Sequence, residues 1–350
     1  MKKVLIKDIA KEMGLSRNTV AKALKNDSSV LEETRKRVVN TAYKMGYSKL
    51  SEDVMKYIEK EKESLGSKKS KSYAVVMGEA SSDFWEGIIV GIQDEINRNH
   101  GSCVVYFIKE EDERNLMLPS NLTPAETEGI ICLTVFSEAY TKKIMDLGIP
   151  MVFLDSPIRK LPYNYTHDIV MIEGKQSIYE ITTDLINQGC KSLGFIGDIT
   201  YCQSIYDRWL GFKEAMEGRN IKIDSKFCLT GYTKYHYYVR DELESKLDEL
   251  DKVPDAFVCA NDDIAIVVIQ YYKKKGYRIP EDLAVTGFDN RKTGLIIEPH
   301  LTTVDPTKRR LGRRLVTQLL WRIQNPTMRN EIITVTTKVY YRESSRKYTP

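Results

Sequence analysis

Hydrophobic residues recur at helical spacing near the start of the chain and predict a pair of short helices. The first is expected over about residues 6–13, where Ile9 and Met13 share one face, and Gly14 follows as a left-handed stop. Ser16 then stands where an N-cap belongs, and its hydroxyl can accept a free amide of the next helical turn. Two helices joined by so short a turn indicate a helix-turn-helix.

The second helix of this pair is expected to start at Arg17, with Val20 and Leu24 turned back onto the first helix. Its outer face carries four residues that suit contact with base edges: Arg17, Asn18, Ala21 and Lys22. An Arg can fork onto guanine, an Asn can pair with adenine, a Lys reaches guanine or phosphate, and a small Ala allows close approach. A recognition helix presents such side chains from its N-terminal end.

A third helix is expected to bury Val38, Ala42 and Met45, to turn residues 34–37 outward beside the DNA backbone, and to end at Gly46. The alternative for the whole segment is a small three-helix bundle with a solvated basic face, because basic amphipathic helices are common. The pattern alone leaves both interpretations open.

From Tyr73 onward the hydrophobic pattern changes to short apolar runs separated by amphipathic segments. The runs are YAVVMG, CVVYFI, GIICL and MVFLD, and then LGFIG, AFVCA and LAVTGF. Helices are expected between them, for example over 174–188, 206–218 and 262–275. This alternation predicts two parallel sheets, each covered by helices on both faces, and therefore two doubly wound lobes.

The charge distribution separates the two parts of the chain. Up to Lys71 there are 18 Lys and Arg against 10 Asp and Glu, whereas the remainder carries 35 against 39. A basic head on a mildly acidic body is the layout expected of a protein that grips phosphate with one end. Between them, residues 51–71 predict a helix over about 51–63 and a tether rich in Lys, Ser and Gly.

Ligands of doubly wound folds bind beyond the carboxyl ends of the strands, and polar or aromatic residues follow nearly every predicted strand here. They include residues 82–85, Phe136, Asp155, Asn261 and Asp289. Arg208 and Trp209 lie in the helix after LGFIG. Carboxylates, an amide, a guanidinium and aromatic plates suit a sugar. Taken singly, such an Asp is more often a strand-end cap or a turn residue.

The run IKDIAKEMGLSRNTVAKALKN, followed by VLEETRKRVVNTAYKMGY, resembles the headpiece of the lactose-repressor and galactose-repressor family of bacterial transcription regulators. In that family the positions of Arg17, Asn18 and Lys22 make the main base contacts. The resemblance implies these DNA-binding residues: Lys7, Ser16, Arg17, Asn18, Thr19, Ala21, Lys22 and Thr34. Leu5 and Leu31 stand where the family usually has Thr or Ser helix caps. In residues 51–71 the family's hinge residues are absent, so no wedge residue is assigned there.

The resemblance continues through DRWLGFKEAM, PDAFVCANDDIAIVVIQYYKKKGYRIPEDLAVTGFDN and LTTVDPTKRRLGRRLV, which are similar to the family's periplasmic-binding-protein-like core. Together with the strand-end positions it gives these effector-binding residues: Ser82, Asp83, Phe84, Trp85, Phe136, Asp155, Glu173, Arg208, Trp209, Asn261 and Asp289. Two departures are Glu173-Gly174, where the family usually has Asp-Asn, and Cys190, where it usually has His.

The expected fold is an all-α helix-turn-helix headpiece at 1–50, a linker at 51–71 and a two-lobed α/β core at 72–345. The resemblance implies lobes that are not contiguous. Lobe 1 is expected at about 72–166 and 306–326, and lobe 2 at about 167–305 and 327–345.

The expected function is that of a cytoplasmic, homodimeric repressor of carbohydrate-utilisation genes. It would bind a palindromic operator and be switched by a small sugar in the cleft between the lobes. Three alternatives remain: the same fold sensing a purine or nucleoside, regulation by a protein co-repressor, and a sugar-binding module without DNA activity. The aromatic residues expected near the cleft suit a base as well as a sugar ring.

Catalytic, metal and cofactor sites are not expected. The four histidines are scattered, and neither a phosphate-cradling glycine loop nor a serine elbow is present. The six cysteines lack metal-type spacing, which favours a reducing compartment. The first residues contain no apolar run of signal-peptide length, and no stretch is long enough to cross a bilayer, so no membrane partner is expected.

Overall fold

The computed structural model describes residues 4–25, 27, 29–45, 47, 50, 54, 71–79, 82–157 and 166–346. It divides the chain into two compact units, 1–70 and 71–350. The predicted helix stop at Gly46 lies outside the described residues, and so does the predicted linker helix, apart from Val54, which is buried in the hydrophobic cluster of the first unit.

The helices of the first unit whose bounds are described are α1 (Ile6–Met13), α2 (Arg17–Leu24) and α3 (Glu32–Lys44). Ile9, Val20 and Val38 meet in its core and are fully buried. Gly14 ends α1 with φ +63°, a left-handed conformation that glycine adopts without strain. The Ser16 hydroxyl accepts the Thr19 N–H at 3.0 Å and so caps α2. The predicted helix-turn-helix is therefore confirmed.

The start of α1 lacks a capping hydroxyl, as its sequence indicates. Leu5 cannot accept a hydrogen bond through its side chain, but its own N–H donates to the Asp8 carboxylate at 2.9 Å. This is the reciprocal half of a capping box, and it places a negative charge in the first turn, where the helix dipole favours one. Asp8 therefore offsets part of the cost of the missing cap.

The second unit contains a six-stranded parallel sheet in the order β10-β5-β4-β3-β1-β2. Its strands are β1 (Lys71–Gly78), β2 (Gly101–Ile108), β3 (Gly129–Cys132), β4 (Met151–Leu154), β5 (Asp168–Ile172) and β10 (Ile332–Val335). The helices of its connections are α4 (Asp83–Arg98), α5 (Glu110–Arg114), α6 (Glu138–Met145) and α11 (Lys308–Gln324). Ile88, Ile92 and Ile96 recur at helical spacing on α4 and are fully buried, as predicted.

A second sheet has three parallel strands in the order β6-β7-β8. Its elements are β6 (Leu193–Ile196), β7 (Ala256–Cys259), β8 (Ala284–Thr286), α7 (Lys175–Asn187), α8 (Gln203–Glu217), α9 (Arg240–Asp248) and α10 (Asp262–Lys274). Beside it, β9 (Thr303–Asp305) and β11 (Lys338–Tyr340) form an antiparallel pair. Every strand of both parallel sheets coincides with a predicted apolar run, except β5 and β10.

Those two strands correct the predicted lobe boundaries. The prediction assigned residues 167–172 and 327–335 to lobe 2, but β5 pairs with β4 and β10 pairs with β5, so both strands extend the first sheet. Lobe 1 is therefore 71–172 and 308–335, and lobe 2 is 173–307 and 336–346. A strand's choice of sheet depends on pairing partners far away in the chain, which the local sequence does not reveal.

Two glycines bring α4 and α11 into close contact within lobe 1. A Cβ atom at Gly91 would lie 2.1 Å from the carbonyl oxygen of Arg309, and one at Gly312 would lie 2.1 Å from that of Ile88. Any larger residue at these two positions would force the helices apart. This contact places Lys308, at the start of α11, beside the N-terminal part of α4.

Candidate functional site

The first unit presents the start of α2 to solvent. The side chains of Arg17, Asn18 and Lys22 are exposed, while Ala21 is half-buried beside them. Ser16 and Thr19 are held by a hydrogen bond between their hydroxyls at 2.8 Å, which fixes the first turn. Exposed guanidinium and amide groups at the tip of a rigid, capped helix are suited to base edges in a major groove.

The remaining predicted DNA-binding residues lie on the two neighbouring helices. Lys7 is exposed on α1, and Thr34 is half-buried near the start of α3. Lys22 donates a hydrogen bond to the hydroxyl of Ser29, at 3.3 Å, in the loop before α3. The surface therefore combines candidate base contacts on α2 with flanking groups that can reach phosphates.

A cleft of about 670 Å³ lies at the carboxyl ends of both sheets of the second unit. Seven of the predicted effector-binding residues line it: Ser82, Phe84, Trp85, Asp155, Arg208, Asn261 and Asp289. In lobe 1, the first three lie at the start of α4 and Asp155 follows β4, whereas elements of lobe 2 supply the last three. The structure therefore brings these seven predicted residues together around one cavity.

Asp155 follows β4 in a left-handed conformation, with φ +68°. Its carboxylate accepts the N–H of Ser156 at 2.7 Å, the N–H of Ser204 at 3.2 Å and the hydroxyl of Ser204 at 2.5 Å. Ser204 lies in the first turn of α8, so Asp155 ties lobe 1 to a helix of lobe 2. Most of its hydrogen-bonding capacity is therefore committed to the protein.

Arg208 is buried on α8 and has one buried donor that is unpaired. One of its Nη atoms donates to the carbonyl of Ala260 at 2.5 Å, and its guanidinium lies 3.6 Å from the centre of the Phe288 ring. Its Nε finds no hydrogen-bond partner in the described part of the chain. Asn261 caps α10 through its side-chain oxygen, which accepts the Ile264 N–H at 3.0 Å. The Asn261 amide NH₂ thus remains available as a second donor.

Asp289 is a buried acid whose carboxylate receives no hydrogen bond from the described residues. It has φ +108°, a conformation that is strained for a non-glycine residue. Burial raises the pKa of Asp289 to about 7; the Arg208 guanidinium opposes the rise, and Asp262 adds to it. An acid next to an open guanidinium donor can bracket vicinal hydroxyls, with one group accepting and the other donating.

Three of the predicted effector-binding residues, Phe136, Trp209 and Glu173, do not line the cleft. Phe136 is buried against Tyr140 in a separate core cluster of lobe 1. Trp209 stacks on Phe212, with ring centres 5.6 Å apart, and packs into the lobe 2 core. Each was predicted from proximity to a strand end or to Arg208, and this proximity does not determine which side of the sheet the ring faces.

Glu173, the third of these residues, caps a helix outside the cleft lining. Its carboxylate accepts the N–H of Gln176 at 2.5 Å and both the N–H and the hydroxyl of Ser177, so it caps the start of α7. Its backbone N–H donates to Val335 at 2.9 Å, and the hydroxyl of Thr337 reaches its carbonyl at 3.3 Å. Glu173 therefore joins the two chain segments, after β5 and after β10, that pass from lobe 1 to lobe 2.

Asp83 does not line the cleft but makes a cross-lobe contact beside it. Its carboxylate accepts Nε of Arg291 at 2.7 Å and the N–H of Lys292 at 2.9 Å. Arg291 also pairs with Asp263 in the first turn of α10. The sequence reasoning missed Arg291 because it occupies the position after Asp289-Asn290, and no local signal distinguishes it from other surface arginines.

Aromatic residues missed by the sequence analysis form one wall of the cleft. Tyr201 and Tyr238 both line it. Tyr201 stacks on His236, with ring centres 4.1 Å apart, and Nδ1 of His236 lies 2.7 Å from the buried carboxylate of Asp198. The density of tyrosines in GYTKYHYY was the available signal. The cleft therefore offers flat aromatic faces from both lobes, with Phe84 and Trp85 on the other side.

The cysteines of the chain are free thiols, and one of them lines the cleft. All six cysteines are free, and burial raises the pKa of Cys202, which lines the cleft, well above its usual range. Within the described ranges, His, Cys, Asp and Glu side chains form no group of three or more that could hold a metal ion. The helices described there also include none long and apolar enough to cross a membrane.

Two protein-family models match the chain. The model described as "Bacterial regulatory proteins, lacI family" covers residues 5–49, and "Periplasmic binding protein-like domain" covers residues 182–345. Among curated proteins, the HTH-type transcriptional repressor PurR of Pasteurella multocida is 27% identical over 346 residues, which is 97% of this chain and 98% of that protein. Catabolite control protein A of Priestia megaterium is 24% identical, over 98% of this chain and 99% of the relative.

Solved structures of the same fold span the whole chain. A complex of the transcriptional regulator CelR with cellobiose has a TM-score of 0.68 at 20% identity, and it covers 98% of this chain and 100% of that one. The lac repressor dimer bound to operator and the anti-inducer ONPF has a TM-score of 0.65 at 19% identity, with coverages of 98% and 99%. The fold of headpiece and core is thus that of these regulators.

Proposed function

This chain belongs to the lacI family of bacterial regulatory proteins, and on that premise we propose that it represses transcription from an operator under the control of a small molecule. The observation that carries the proposal is the exposed pair Arg17 and Asn18 at the tip of the capped helix α2. Exposed base-contacting side chains on a basic headpiece are typical of a DNA-binding protein, and a sugar-binding module alone does not explain them.

The operator is proposed to be a palindrome that a homodimer reads with two headpieces. One headpiece offers few base contacts, and two-fold symmetry doubles them on a pair of half-sites. The lac repressor, whose fold this chain shares, is a dimer in its operator complex. Repression of this kind takes place in the cytoplasm, which is the location we propose.

We propose that the effector is a small carbohydrate, and the regulated genes those of carbohydrate use. The Asn261 amide is an open donor and Asp289 an open acceptor, beside the Arg208 guanidinium, in a cleft that aromatic residues also line. Hydroxyl groups on adjacent carbons of a sugar can satisfy all three, and the ring faces can pack on the aromatic side chains. The CelR complex, which holds cellobiose, supports this class.

A purine or nucleoside is the second candidate, and the aromatic wall favours it. Tyr201 and Tyr238 of lobe 2 and Phe84 and Trp85 of lobe 1 line the same cleft, and aromatic rings of this kind can stack on a flat base. Thermal-shift screening of monosaccharides, oligosaccharides, purines and nucleosides separates the two classes, because a ligand that binds the folded chain raises its Tm by mass action. A shift from a compound of only one class identifies that class.

Substitution of Arg17 tests the DNA-binding proposal. Loss of one bidentate base contact costs about 1–3 kcal/mol, so we expect Arg17→Ala to weaken binding to the operator about tenfold to 100-fold. The measurement is a mobility-shift titration of the full chain on the DNA upstream of its own gene. Lys25→Ala, at the exposed end of the same helix, is the matched control. Equal binding by Arg17→Ala and wild type would contradict the proposed role of α2.

A further inference from the structure

The turn that carries Asp289 is held by side chains of its own lobe 2 and also by side chains of lobe 1. Asp83, the first residue of α4, accepts Nε of Arg291 at 2.7 Å and the backbone N–H of Lys292 at 2.9 Å. Arg291 and Lys292 are adjacent in the chain, so the Asp83 carboxylate binds both a side chain and a backbone N–H of the same turn. Such a two-point contact fixes the position of the turn and also pairs the charge of Arg291.

Lys308, at the start of α11, forms hydrogen bonds with the same turn. Its ammonium group donates to the carbonyl of Asp289 at 2.7 Å and to that of Asn290 at 2.8 Å. Both acceptor residues have positive φ, +108° and +46°, and therefore need support from their surroundings. Gly87 on α4 makes room for this side chain, since a Cβ atom there would lie 2.9 Å from Cβ of Lys308.

The Asp83–Arg291 pair is more buried than the Asp94–Arg309 pair between α4 and α11. Its side chains are only 16% and 14% exposed, whereas Arg309, which pairs with Asp94, is 61% exposed. Burial by itself would raise the pKa of Asp83, but the hydrogen bonds from Lys292 and Arg291 outweigh it and hold the pKa below its usual value. The contact therefore favours the ionised carboxylate of Asp83. Solvent screens it less than it screens an exposed surface pair.

We propose that Asp83 and Lys308 are positioning residues for effector binding, which hold the Asp289 turn in place from the opposite lobe. The lobe 1 contacts add to those that lobe 2 makes with the same turn, so opening of the lobes loosens the turn and shifts Asp289 from its place in the cleft. This inference rests on the proposed function only in taking Asp289 as an effector contact.

Hydrogen–deuterium exchange of the full chain, without sugar, nucleoside or DNA, tests the contact. Asn at position 83 has one acceptor oxygen in place of two, so either the Arg291 side chain or the Lys292 N–H loses its partner. We expect Asp83→Asn to accelerate exchange in peptides covering 289–296 by about tenfold or more. The matched control is Asp263→Asn, which removes the charge that pairs with the Arg291 side chain within lobe 2 and should leave the exchange of Lys292 at its wild-type rate.

A second pair of variants separates positioning from general stability. Lys308→Met keeps the length of the side chain but cannot donate to the two carbonyls, so it should accelerate exchange in 289–296 as Asp83→Asn does. Lys308→Arg restores a donor and should return exchange close to wild type. Peptides covering the buried strand β7 should be unchanged in all variants.

Two results would overturn the proposal. Equal acceleration in Asp83→Asn and Asp263→Asn would mean that Arg291 only stabilises lobe 2. Acceleration that includes β7 would mean a general loss of stability. Neither result requires a known effector or operator, so failure of this inference and failure of the proposed repressor function can be told apart.

Discussion

Replacement of Asp289 by Asn should make the protein more stable at pH 8, by about 2–4 kcal/mol in the free energy of unfolding. Burial raises the pKa of this acid from 3.8 to about 7, and each unit of such a shift corresponds to about 1.4 kcal/mol. At pH 8 the native state must hold a buried negative charge that the unfolded chain exposes to water. Asn removes that cost while keeping the size of the side chain.

The pH dependence of this gain follows from the sign of the shift. The native state binds the proton of Asp289 more tightly than the unfolded chain does, so the contribution of this acid to stability falls as pH rises from about 4 to about 7. The advantage of Asp289→Asn should therefore grow across that range and remain constant above it. Urea titrations at pH 5, 6, 7 and 8 measure it.

Asp155→Asn is the control for this prediction and should have the opposite sign. The Asp155 carboxylate accepts three hydrogen bonds, and an amide group would turn an NH₂ toward one or more of these donors. A loss of about 1–3 kcal/mol is expected. If Asp289→Asn were less stable than wild type at pH 8, Asp289 would have a structural partner and could not be an acid kept open for an effector.

Replacement of Arg322 by Met should destabilise the core unit by about 3–5 kcal/mol. Arg322 donates from Nε and Nη2 to the carboxylate of Asp168, at 3.0 and 2.7 Å, and the two side chains are 9% and 0% exposed. The variant leaves Asp168 charged and buried. Arg322 also donates to the carbonyls of Met328 and Arg329, which hold the connection from α11 to β10.

An exposed pair of similar length provides the comparison for Arg322. Arg98→Met breaks a salt bridge to Glu95 of 3.0 Å whose arginine is 57% exposed, and it should cost less than about 1 kcal/mol. The double variant Asp168→Leu with Arg322→Met should recover much of the lost stability, because no unpaired charge remains. Thermal unfolding of the four proteins measures the series, and equal losses in Arg322→Met and Arg98→Met would contradict it.

The headpiece could be predicted from the sequence almost residue by residue, because its signals are local. Gly14 specifies a left-handed stop, Ser16 specifies a cap two residues later, and the spacing of Ile9, Val20 and Val38 specifies the buried faces. Each of these features acts within one or two helical turns. The structure therefore reproduces the predicted bounds of α1 and the predicted start of α2.

The core was predictable in its elements but only partly in its site. Strand ends gave Asp155, Asn261 and Asp289, because parallel strands meet at one edge of their sheet. Whether a side chain near that edge enters the cleft or turns back depends on its helix face and on distant partners. For that reason Glu173 became a helix cap, while the contacts of Arg291 across the lobes could not be foreseen.

The affinity of the full chain for its operator, with and without a compound that raises its Tm in the thermal-shift screen, tests the account most directly. Coupling between two sites of one protein is usually about 1–3 kcal/mol, so the compound should change the dissociation constant about 5-fold to 150-fold. Asp289→Asn should bind the operator as wild type does but lose this response. An operator affinity that stays the same with and without a compound bound in the cleft would contradict the account.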